Sequence, residues 1–217
     1  MKSPTSKGAP APNSPSAPPH RRLRRTDLPL ETVALARFLI GKLLIRQLDG
    51  GPVLAGRIVE TEAYTPGDPA SHAFRGPSER NRSMFSGPGH AYVYFIYGTS
   101  HCLNVSSEAA GVGAAVLLRA LEPLAGAGRM RELRGSADLR ADALARGPGN
   151  LCRALAVGRD LDGLDLDADP RLLLGDDGCV PEIGTSVRIG ITRAAGLPLR
   201  FYLRGSRAVS GPRSLSP

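Results

Sequence analysis

The sequence has no tryptophan, and its 217 residues include only five tyrosines and five phenylalanines. The absence of tryptophan counts mildly against a protein that stacks sugars on aromatic platforms. Apolar runs are short as well, and none approaches the roughly eighteen residues of a membrane-spanning helix. No apolar segment of useful length follows the start of the chain, which argues against a signal peptide. We therefore expect a cytoplasmic protein that does not insert into membranes.

Cysteine is also scarce. The three cysteines, Cys102, Cys152 and Cys179, are odd in number and widely spaced, and no C-x-x-C pair occurs. This pattern favours neither a disulfide framework nor a zinc site. We expect the three thiols to be reduced, small and buried. We also expect no metal ion and no other cofactor.

Acidic residues are missing from the first 25 positions. That segment holds six of the 28 Lys and Arg residues and none of the 20 Asp and Glu residues. The rest of the chain therefore has 22 basic and 20 acidic residues, a net charge of +2 against +8 for the whole. Because the segment is also rich in Pro, Ser and Ala, we predict a disordered basic arm over residues 1–25. A DNA tether and a solvated tail without a specific role both fit this composition.

Acidic and aromatic residues alternate along one predicted strand, Arg57 to Tyr64. In a regular strand Glu60, Glu62 and Tyr64 point to one face, and Val59, Thr61 and Ala63 point to the other. Carboxylates on a buried face are costly unless they are hydrogen-bonded or open to a cleft. The strand thus indicates a site for acid/base chemistry on a flat, stackable substrate.

A β-hairpin is predicted over residues 91–106. Residues 91–96 are aromatic and β-branched, residues 97–100 form the turn, and residues 101–106 return. Tyr97 lies at the tip just before a glycine, where its own sheet has little chance of burying it. A rigid hairpin with an aromatic tip can enter a DNA groove and replace a base in the stack.

Several separated segments match one known family in the same order, which is more specific than any single short motif. Together with the spacing to His72 they resemble the alkyladenine DNA glycosylase family, also called 3-methyladenine DNA glycosylases. The resemblance covers roughly residues 26 to 205. It implies a bacterial, monomeric, nucleoid-associated enzyme that starts base excision repair on duplex DNA containing damaged purines. The matching segments are RIVETEAY, ERNR with MF, YVYFIYG, LNVSS, LLRALEP and GPGNLCRAL.

The resemblance also implies roles for individual residues. Glu62 would be the base that activates water, and Tyr97 the wedge in the minor groove. Asn104 would lie at the pocket floor and screen against the exocyclic amino group of guanine. From the residues alone, Asn104 could simply bridge backbone groups, and Arg119 could be a structural ion-pair partner. The residues implied for the purine pocket are Tyr64, His72, Tyr94, Asn104 and Arg119.

A long segment rich in Pro and Gly, residues 65–90, is predicted to be a loop. Loops of this length in compact domains are usually functional. It carries His72 together with Arg75, Arg80 and Arg82, which are candidates for contacts with DNA phosphates. A solvated surface charge fits each of these arginines equally well, and a hydrogen-bonded loop residue fits His72.

The residues alone leave two other functions open. Strand spacing puts residues i and i+2 about 6.5 Å apart, within the range between acid and base in inverting sugar hydrolases. A carbohydrate hydrolase that uses Glu60 and Glu62 is therefore one alternative. A non-catalytic minor-groove DNA-binding protein is the other, although it has no reason to gather Glu62, Tyr64 and His72 around a cavity. For Glu60 we favour a structural role, as partner of a buried arginine or a backbone amide.

Lysine is the last scarce residue, with only Lys2, Lys7 and Lys42 in the chain. A glycosylase that also cleaves the DNA strand needs an amine that forms a Schiff base with the deoxyribose. Lys42 falls in a predicted helix well before the pocket segment in sequence. We therefore expect a monofunctional enzyme, in which water activated by Glu62 attacks C1′ and leaves an abasic site.

The patterns as a whole predict an α+β fold: a single mixed domain with a curved antiparallel β-sheet, surrounding helices and a protruding hairpin. We expect residues 1–25 to be the arm, residues 26–205 the glycosylase domain and residues 206–217 a frayed tail. Helices are predicted over 30–44, over 127–146 with an interruption near Gly135, and over 151–157 with Asn150 as N-cap. The further predicted strands are 45–48, 114–121, 171–174, 187–192 and 199–204.

Overall fold

The computed structural model describes residues 17–96 and 98–216 and is built around one antiparallel sheet of ten strands. The strands are β1 (Arg21–Arg22), β2 (Leu43–Gln47), β3 (Val53–Tyr64), β4 (Ala91–Ile96), β5 (Ser100–Ser106), β6 (Ala115–Ala125), β7 (Ala145–Arg146), β8 (Leu172–Asp176), β9 (Ile183–Ser186) and β10 (Arg200–Leu203). The main path runs β1-β8-β2-β3-β6-β5-β4. Off this path, β10 pairs with β3 and β9, and β7 pairs with β6.

Short helices surround the sheet and complete the predicted α+β domain. The α-helices are α1 (Thr32–Leu39), α2 (Ala127–Arg134), α3 (Ala141–Leu144) and α4 (Pro148–Ala154). Single 3₁₀ turns lie at Arg25–Asp27, His72–Arg75, Arg82–Phe85, Arg159–Leu161 and Arg213–Leu215. In the part of the chain that the structure describes, no helix is long and apolar enough to cross a membrane.

Strand β3 is the centre of the fold because both of its edges are paired. Its first half pairs with β2 and its second half with β10, while β6 runs along the other edge. Glu62 lies opposite Leu117 of β6 and Arg200 of β10. The side chains of Glu60 and Glu62 have no solvent exposure. Two carboxylates are thus held in the interior of the sheet.

The predicted alternation of β3 is interrupted near Glu60. Register irregularities with β6 fall on both sides of this residue, between Ile58 and Thr61. Ala63 packs into the main core with α1, and the Thr61 hydroxyl donates to the carbonyl of Ala36, 2.9 Å away. Val59, predicted to share their face, instead belongs to a small separate cluster beside Tyr202 and Val209. A bulge adds a residue to one strand and so shifts which side chains share a face.

The first predicted helix is longer than the real one, and the second is interrupted where the sequence predicted. The first helix stops at Leu39 rather than continuing to residue 44. Gly41 follows with φ of +86°, and its N–H donates to the carbonyl of Ile58 on β3. The interruption predicted near Gly135 in the second helix, 127–146, is confirmed, because Gly135 caps α2 with φ of +66° and α3 begins only at Ala141. A left-handed glycine of this kind is a common end of an α-helix.

Two predictions near the site were wrong in detail. Asn150 does not cap α4, which begins at Pro148 after Gly147, and its side-chain amide donates to the carbonyl of Arg146. The segment 187–192 is a loop and not a strand. Its predecessor β9 leaves the sheet at Ser186, where its pairing with β10 ends, and the following residues turn toward β3.

Both ends of the chain join the fold further than predicted. Leu23, assigned to the disordered arm, is 2% exposed, and β1 pairs with β8. Arg24 and Arg25 form ion pairs with Asp167 and Asp165, partners that the composition of the arm could not indicate. Residues 1–16 lie outside the described residues. The predicted frayed tail also packs against the domain, since its members Ala208, Val209 and Ser210 are buried.

Candidate active site

A cavity of about 350 Å³ opens between the hairpin, the loop 65–90 and the loop after β9. This volume lies within the range of sites that enclose a small organic ligand. Its wall is mainly aromatic and aliphatic, with the polar side chains of Asn104 and Arg119 at one side. The rings that line it belong to Tyr64, His72, Tyr92 and Tyr94.

Three of these rings form one aromatic wall. Tyr92 and Tyr94 alternate along β4 and therefore share a face, with ring centroids 5.3 Å apart. The His72 ring meets Tyr94 edge to face at 4.5 Å, and its Nδ1 lies 2.8 Å from the Tyr92 hydroxyl. Burial raises the pKa of both tyrosines, so their hydroxyls stay protonated. The wall can stack against a flat ring.

His72 is held by the loop that carries it. It begins a 3₁₀ turn that Ser71 caps, with the Ser71 hydroxyl accepting from the N–H of Ala73 at 3.1 Å. The side-chain amide of Asn81 donates to the carbonyls of His72 and Gly76, at 2.9 Å and 3.1 Å. The surrounding protein and, next, the charge of Arg80 lower the pKa of His72, although part of its ring remains open to solvent. A neutral imidazole is therefore favoured.

Glu62 lies directly behind the cavity wall, and the groups that hold its carboxylate belong to that wall. Its Oε1 accepts from the N–H of Ile189 at 2.7 Å and lies 3.3 Å from Nη1 of Arg119. Its Oε2 accepts from the Tyr64 hydroxyl at 3.1 Å. Burial raises the pKa of Glu62 despite these lowering contacts, of which Arg119 is the strongest. A carboxylate with a raised pKa is a better proton acceptor near neutral pH.

Glu60, two residues away, is fully engaged by the protein. Its Oε1 accepts from Nε of Arg200 at 2.7 Å and from Nε of Arg119 at 3.0 Å. Its Oε2 accepts from the N–H of Ser210 at 2.7 Å. The prediction that Glu60 is a partner of a buried arginine or a backbone amide is confirmed.

Asn104 and Arg119 meet both of the interpretations that the sequence allowed. Asn104 lines the cavity and also bridges the hairpin, because its side-chain amide donates to the carbonyl of Tyr92 at 3.0 Å. Arg119 lines the cavity and is an ion-pair partner of Glu60 and Glu62. A structural contact and a position in the cavity wall therefore coexist at each residue.

The predicted phosphate-binding arginines are distributed unevenly around the site. Arg75 and Arg80 line a second depression, whose wall also includes His72 and Tyr92 of the main cavity. Arg193, which sequence reasoning missed, lines the same depression. The exposed Arg82 lies 3.4 Å from Glu79 in an ion pair instead. The structure thus brings Arg75 and Arg80 to the mouth of the site but not Arg82.

Two further residues were singled out in the sequence, Tyr97 and Lys42. Tyr97 lies outside the described residues, while its hairpin is paired from Ala91–Val105 to Ile96–Ser100. Lys42 was predicted to lie in a helix, but it lies after α1 and directly precedes β2. Its ammonium lies 2.9 Å from the carboxylate of Asp176, and neither residue lines the cavity.

Several residues of the site have no local signal in the sequence. Arg188 and Asp68 form a completely buried ion pair, and the guanidinium of Arg188 lies 4.6 Å from the centre of the Tyr64 ring. Arg188 also donates to the carbonyl of Ala63 at 3.0 Å. This pair joins the 65–90 loop to the loop after β9. Its partners are 120 residues apart, so only the fold reveals it.

Within residues 17–96 and 98–216, no group of three or more His, Cys, Asp or Glu side chains could hold a metal ion. Cys102 lines the cavity and is hydrogen-bonded to Tyr94, and burial raises the pKa of its thiol.

A buried carboxylate with a raised pKa behind an aromatic cavity suits a hydrolase that acts on a flat, stackable group. A family model described as Methylpurine-DNA glycosylase (MPG) matches residues 27–207, most of the chain. The chain therefore belongs to the methylpurine-DNA glycosylase family and is a DNA glycosylase, as the motifs predicted.

Curated relatives agree with this assignment. A Mesorhizobium japonicum protein is 58% identical over 197 residues, covering 90% of this chain and 93% of its own. A Paraburkholderia phytofirmans protein is 52% identical, covering 89% and 90%. A Methanoculleus marisnigri protein is 49% identical, covering 83% and 94%. Each is named "Putative 3-methyladenine DNA glycosylase".

Proposed function

We propose that this DNA glycosylase is monofunctional and flips alkylated or deaminated purines, of the 3-methyladenine type and hypoxanthine, out of duplex DNA. It then hydrolyses the N-glycosidic bond and starts base excision repair. The names of the relatives support the alkylated-purine part of this proposal. The observation that carries it is the Glu62 carboxylate, held by Tyr64, Arg119 and the Ile189 amide behind a cavity lined by aromatic rings.

The cavity is the pocket for the flipped base. Tyr94 and His72 offer ring faces and edges to a purine, and edge-to-face aromatic pairs contribute about 0.5–1.5 kcal/mol beyond their buried area. Asn104 limits which exocyclic groups fit at the cavity floor. An alkylated purine that carries a positive charge gains from π-electron density in the wall, as other cations do.

Glu62 acts as the base in the hydrolytic step. A water molecule between its carboxylate and C1′ transfers a proton to Glu62 while the water oxygen bonds to C1′. The bond from C1′ to the purine nitrogen breaks, and its electron pair leaves with the base, so that a cationic alkylpurine departs neutral. Hypoxanthine is neutral in the DNA, departs as an anion and takes up a proton from water. The carboxylate also stabilises the oxocarbenium-like charge on the sugar. In the free protein Tyr64 covers Oε2, and its movement would admit the water.

The DNA outside the pocket is held by the hairpin and the arginines. We propose Tyr97 as the wedge that fills the gap left by the flipped nucleotide. Arg75 and Arg80 border a depression next to the cavity, which supports contacts with the phosphates around the target. Arg82 has an acidic neighbour, Glu79, and we expect a smaller contribution from it.

The two alternative functions receive less support. A sugar hydrolase of the two-carboxylate type needs Glu60 free for its chemistry, but three protein donors surround its oxygens. An architectural DNA-binding protein has no use for a buried carboxylate with a raised pKa beside an aromatic cavity. Excision of a base from DNA separates the proposed function from both alternatives.

The substrate experiment uses duplexes that each contain one lesion: 3-methyladenine, 7-methylguanine, hypoxanthine or ethenoadenine. Alkali then cleaves the strand at any abasic site. We expect excision of at least one lesion by the wild-type protein, and excision at least about 100-fold slower by Glu62→Gln in the same assay. If no lesion is released and damaged and undamaged duplexes bind alike, the proposed function is wrong.

The monofunctional mechanism has its own experiment. Lys42 is paired with Asp176, so no lysine of the described residues reaches the cavity wall. Borohydride added during turnover should therefore trap no covalent protein–DNA adduct. A trapped band that disappears in Lys42→Ala would overturn this mechanism.

The wedge is tested by the pairing of the target base. Unstacking a paired base costs a few kcal/mol, and less when the base is mismatched. Tyr97→Ala should slow excision of hypoxanthine strongly opposite thymine and less strongly opposite a poorly pairing base. Equal losses in single-turnover rate in the two contexts would exclude Tyr97 as the wedge.

A further inference from the structure

The end of the chain folds back onto the carboxylates of β3. The N–H of Ser210 donates to Oε2 of Glu60 at 2.7 Å, and its hydroxyl lies 3.3 Å from Nη2 of Arg119. Ser210 itself is 6% exposed. A segment expected to be frayed therefore contacts the residues that surround Glu62.

Arg200 fastens this segment from the other side. One guanidinium nitrogen donates to the carbonyl of Leu215 at 2.9 Å, and another donates to the carbonyl of Ser210 at 3.0 Å and the Ser216 hydroxyl at 2.8 Å. The remaining nitrogen, Nε, donates to Glu60. Arg200 is completely buried. It thus joins the C-terminal segment, residues 208–216, to the same carboxylate that Ser210 contacts.

The three nitrogens of the Arg119 guanidinium each have a different partner. Nε donates to Glu60 at 3.0 Å, Nη2 contacts the Ser210 hydroxyl at 3.3 Å, and Nη1 faces Glu62 at 3.3 Å. A guanidinium is planar and rigid, so two fixed nitrogens determine the direction of the third. The contacts with Glu60 and Ser210 therefore aim Nη1 at Glu62.

The same contacts balance the charge around Glu62. Glu60 and Glu62 together face the two guanidiniums of Arg119 and Arg200, and the four side chains are at most 9% exposed. In a weakly screened interior, loss of one carboxylate leaves both positive charges to act on the other. The titratable and charged groups nearest Glu62 are Arg119 on β6, Cys102 on β5, and Glu60 and Tyr64 on β3. Arg200 on β10 contacts Glu60, and in the loop after β9 Arg188, paired with Asp68, lies over the Tyr64 ring.

We propose that Glu60 and Ser210 are positioning residues for the glycosylase reaction, and that the C-terminal segment is a structural part of the active site. Ser210 and Glu60 hold Arg119 in the orientation that fixes Glu62, and Glu60 offsets the positive charge that Glu62 experiences. This inference rests on the proposed role of Glu62 as the base. It adds a part of the chain that does not line the cavity.

The experiment compares variants by their single-turnover rate as a function of pH. Glu60→Gln removes the balancing charge and one anchor of Arg119. We expect its plateau rate to fall by about tenfold or more, as misplaced catalytic groups commonly cause. The acidic limb of its rate–pH profile, where the rate rises with pH, should move to lower pH. The reason is that two uncompensated guanidiniums stabilise the ionised form of Glu62. Binding to a lesion-containing duplex should be unchanged.

Ser210→Ala removes the hydroxyl anchor but leaves the backbone N–H and every charge in place. We expect a smaller loss of plateau rate than in Glu60→Gln, with the acidic limb at the wild-type pH. Ser210→Thr keeps a hydroxyl and should recover most of the loss. The control is Asp177→Asn, which makes the same change from carboxylate to amide in the Arg57 ion pair and should alter neither rate nor limb.

The outcomes separate this inference from the proposed function. If the wild type excises and Glu62→Gln does not, but Ser210→Ala and Glu60→Gln match the wild type in rate and limb, the positioning role is wrong and the function stands. If Glu60→Gln does not fold, an unchanged rate in Ser210→Ala overturns the role by itself. If the wild-type protein excises no lesion, both proposals fall.

Discussion

Glu60 and Glu62 lie two residues apart on β3 and are equally buried, yet apart from Arg119 they have different partners. Glu60 receives two guanidinium nitrogens and one backbone amide, from β6, β10 and the C-terminal segment. Glu62 receives one amide and one tyrosine hydroxyl and faces one guanidinium nitrogen, and each of these groups belongs to the cavity wall. One carboxylate is held mainly by groups outside the cavity wall, and the other is held by groups of that wall.

Position relative to the cavity, and not burial, separates the structural carboxylate from the candidate base. Both side chains have no exposure. The contacts of Glu60 all come from groups outside the cavity except Arg119, which contacts both carboxylates. Burial raises the pKa of Glu62, which means that the protein disfavours its ionised form. Such a group is suited to accept a proton.

The largest expected effect is on activity. Glu62→Gln should lower the single-turnover excision rate by at least about 100-fold, in the range typical of a lost general base. Binding to a damaged duplex should persist because the amide nearly preserves the shape of the side chain. Glu60→Gln should lose less activity. A Glu62→Gln variant that keeps more than about a tenth of the rate, a barrier change of roughly 1.4 kcal/mol or less, would remove Glu62 from the role of base.

The order should reverse for stability. Glu60→Gln leaves the buried guanidinium of Arg200 without its carboxylate partner, and breaking such a pair costs up to about 3–5 kcal/mol. Glu62→Gln should cost much less, because a carboxyl whose pKa is raised by folding destabilises the native state above its unfolded pKa, and the amide removes that charge. Denaturant unfolding of the two variants at neutral pH measures the difference. Equal losses would contradict the division between the two residues.

A smaller effect is expected from Tyr64→Phe, which removes a contact of Glu62 and none of Glu60. Loss of the hydroxyl removes one hydrogen bond to Oε2, an interaction of about 1.5–3 kcal/mol when the acceptor is charged. The pKa of Glu62 should rise further, so the acidic limb of the rate profile should move to higher pH. The contacts of Glu60 are unaffected. A limb that moves to lower pH would show that the hydroxyl does not stabilise the carboxylate.

Much of the site could be predicted because its signals are local. The alternation over residues 91–106 predicted a hairpin, and β4 and β5 form it. The placement of two glutamates on a strand indicated that at least one needed a buried partner, and Glu60 has two arginine partners. In both cases the information lies within a few residues of the feature.

What could not be predicted depends on distant contacts. Ser210 and Arg200 are 150 and 140 residues from Glu60, and no composition or period connects them. The small and polar residues of the tail carry no helix or strand pattern that would predict their burial. Its burial comes from hydrogen bonds to Arg200 and Glu60, which exist only once the sheet has formed. The helix predicted over 30–44 was too long. The spacing of its apolar residues does not show that the chain leaves the helix after Leu39 and turns at Gly41, which has a positive φ.

The most direct test of the account is the pH dependence of single-turnover excision by the wild-type protein. Glu62 must be ionised to accept a proton, and burial raises its pKa. We expect the rate to rise with pH and then level off, with a midpoint above the ordinary range of a glutamate. The small residual rate of Glu62→Gln should lack this limb. A rate that is flat across the acidic range in the wild type, or the same limb in Glu62→Gln, would contradict the assignment of Glu62 as the base.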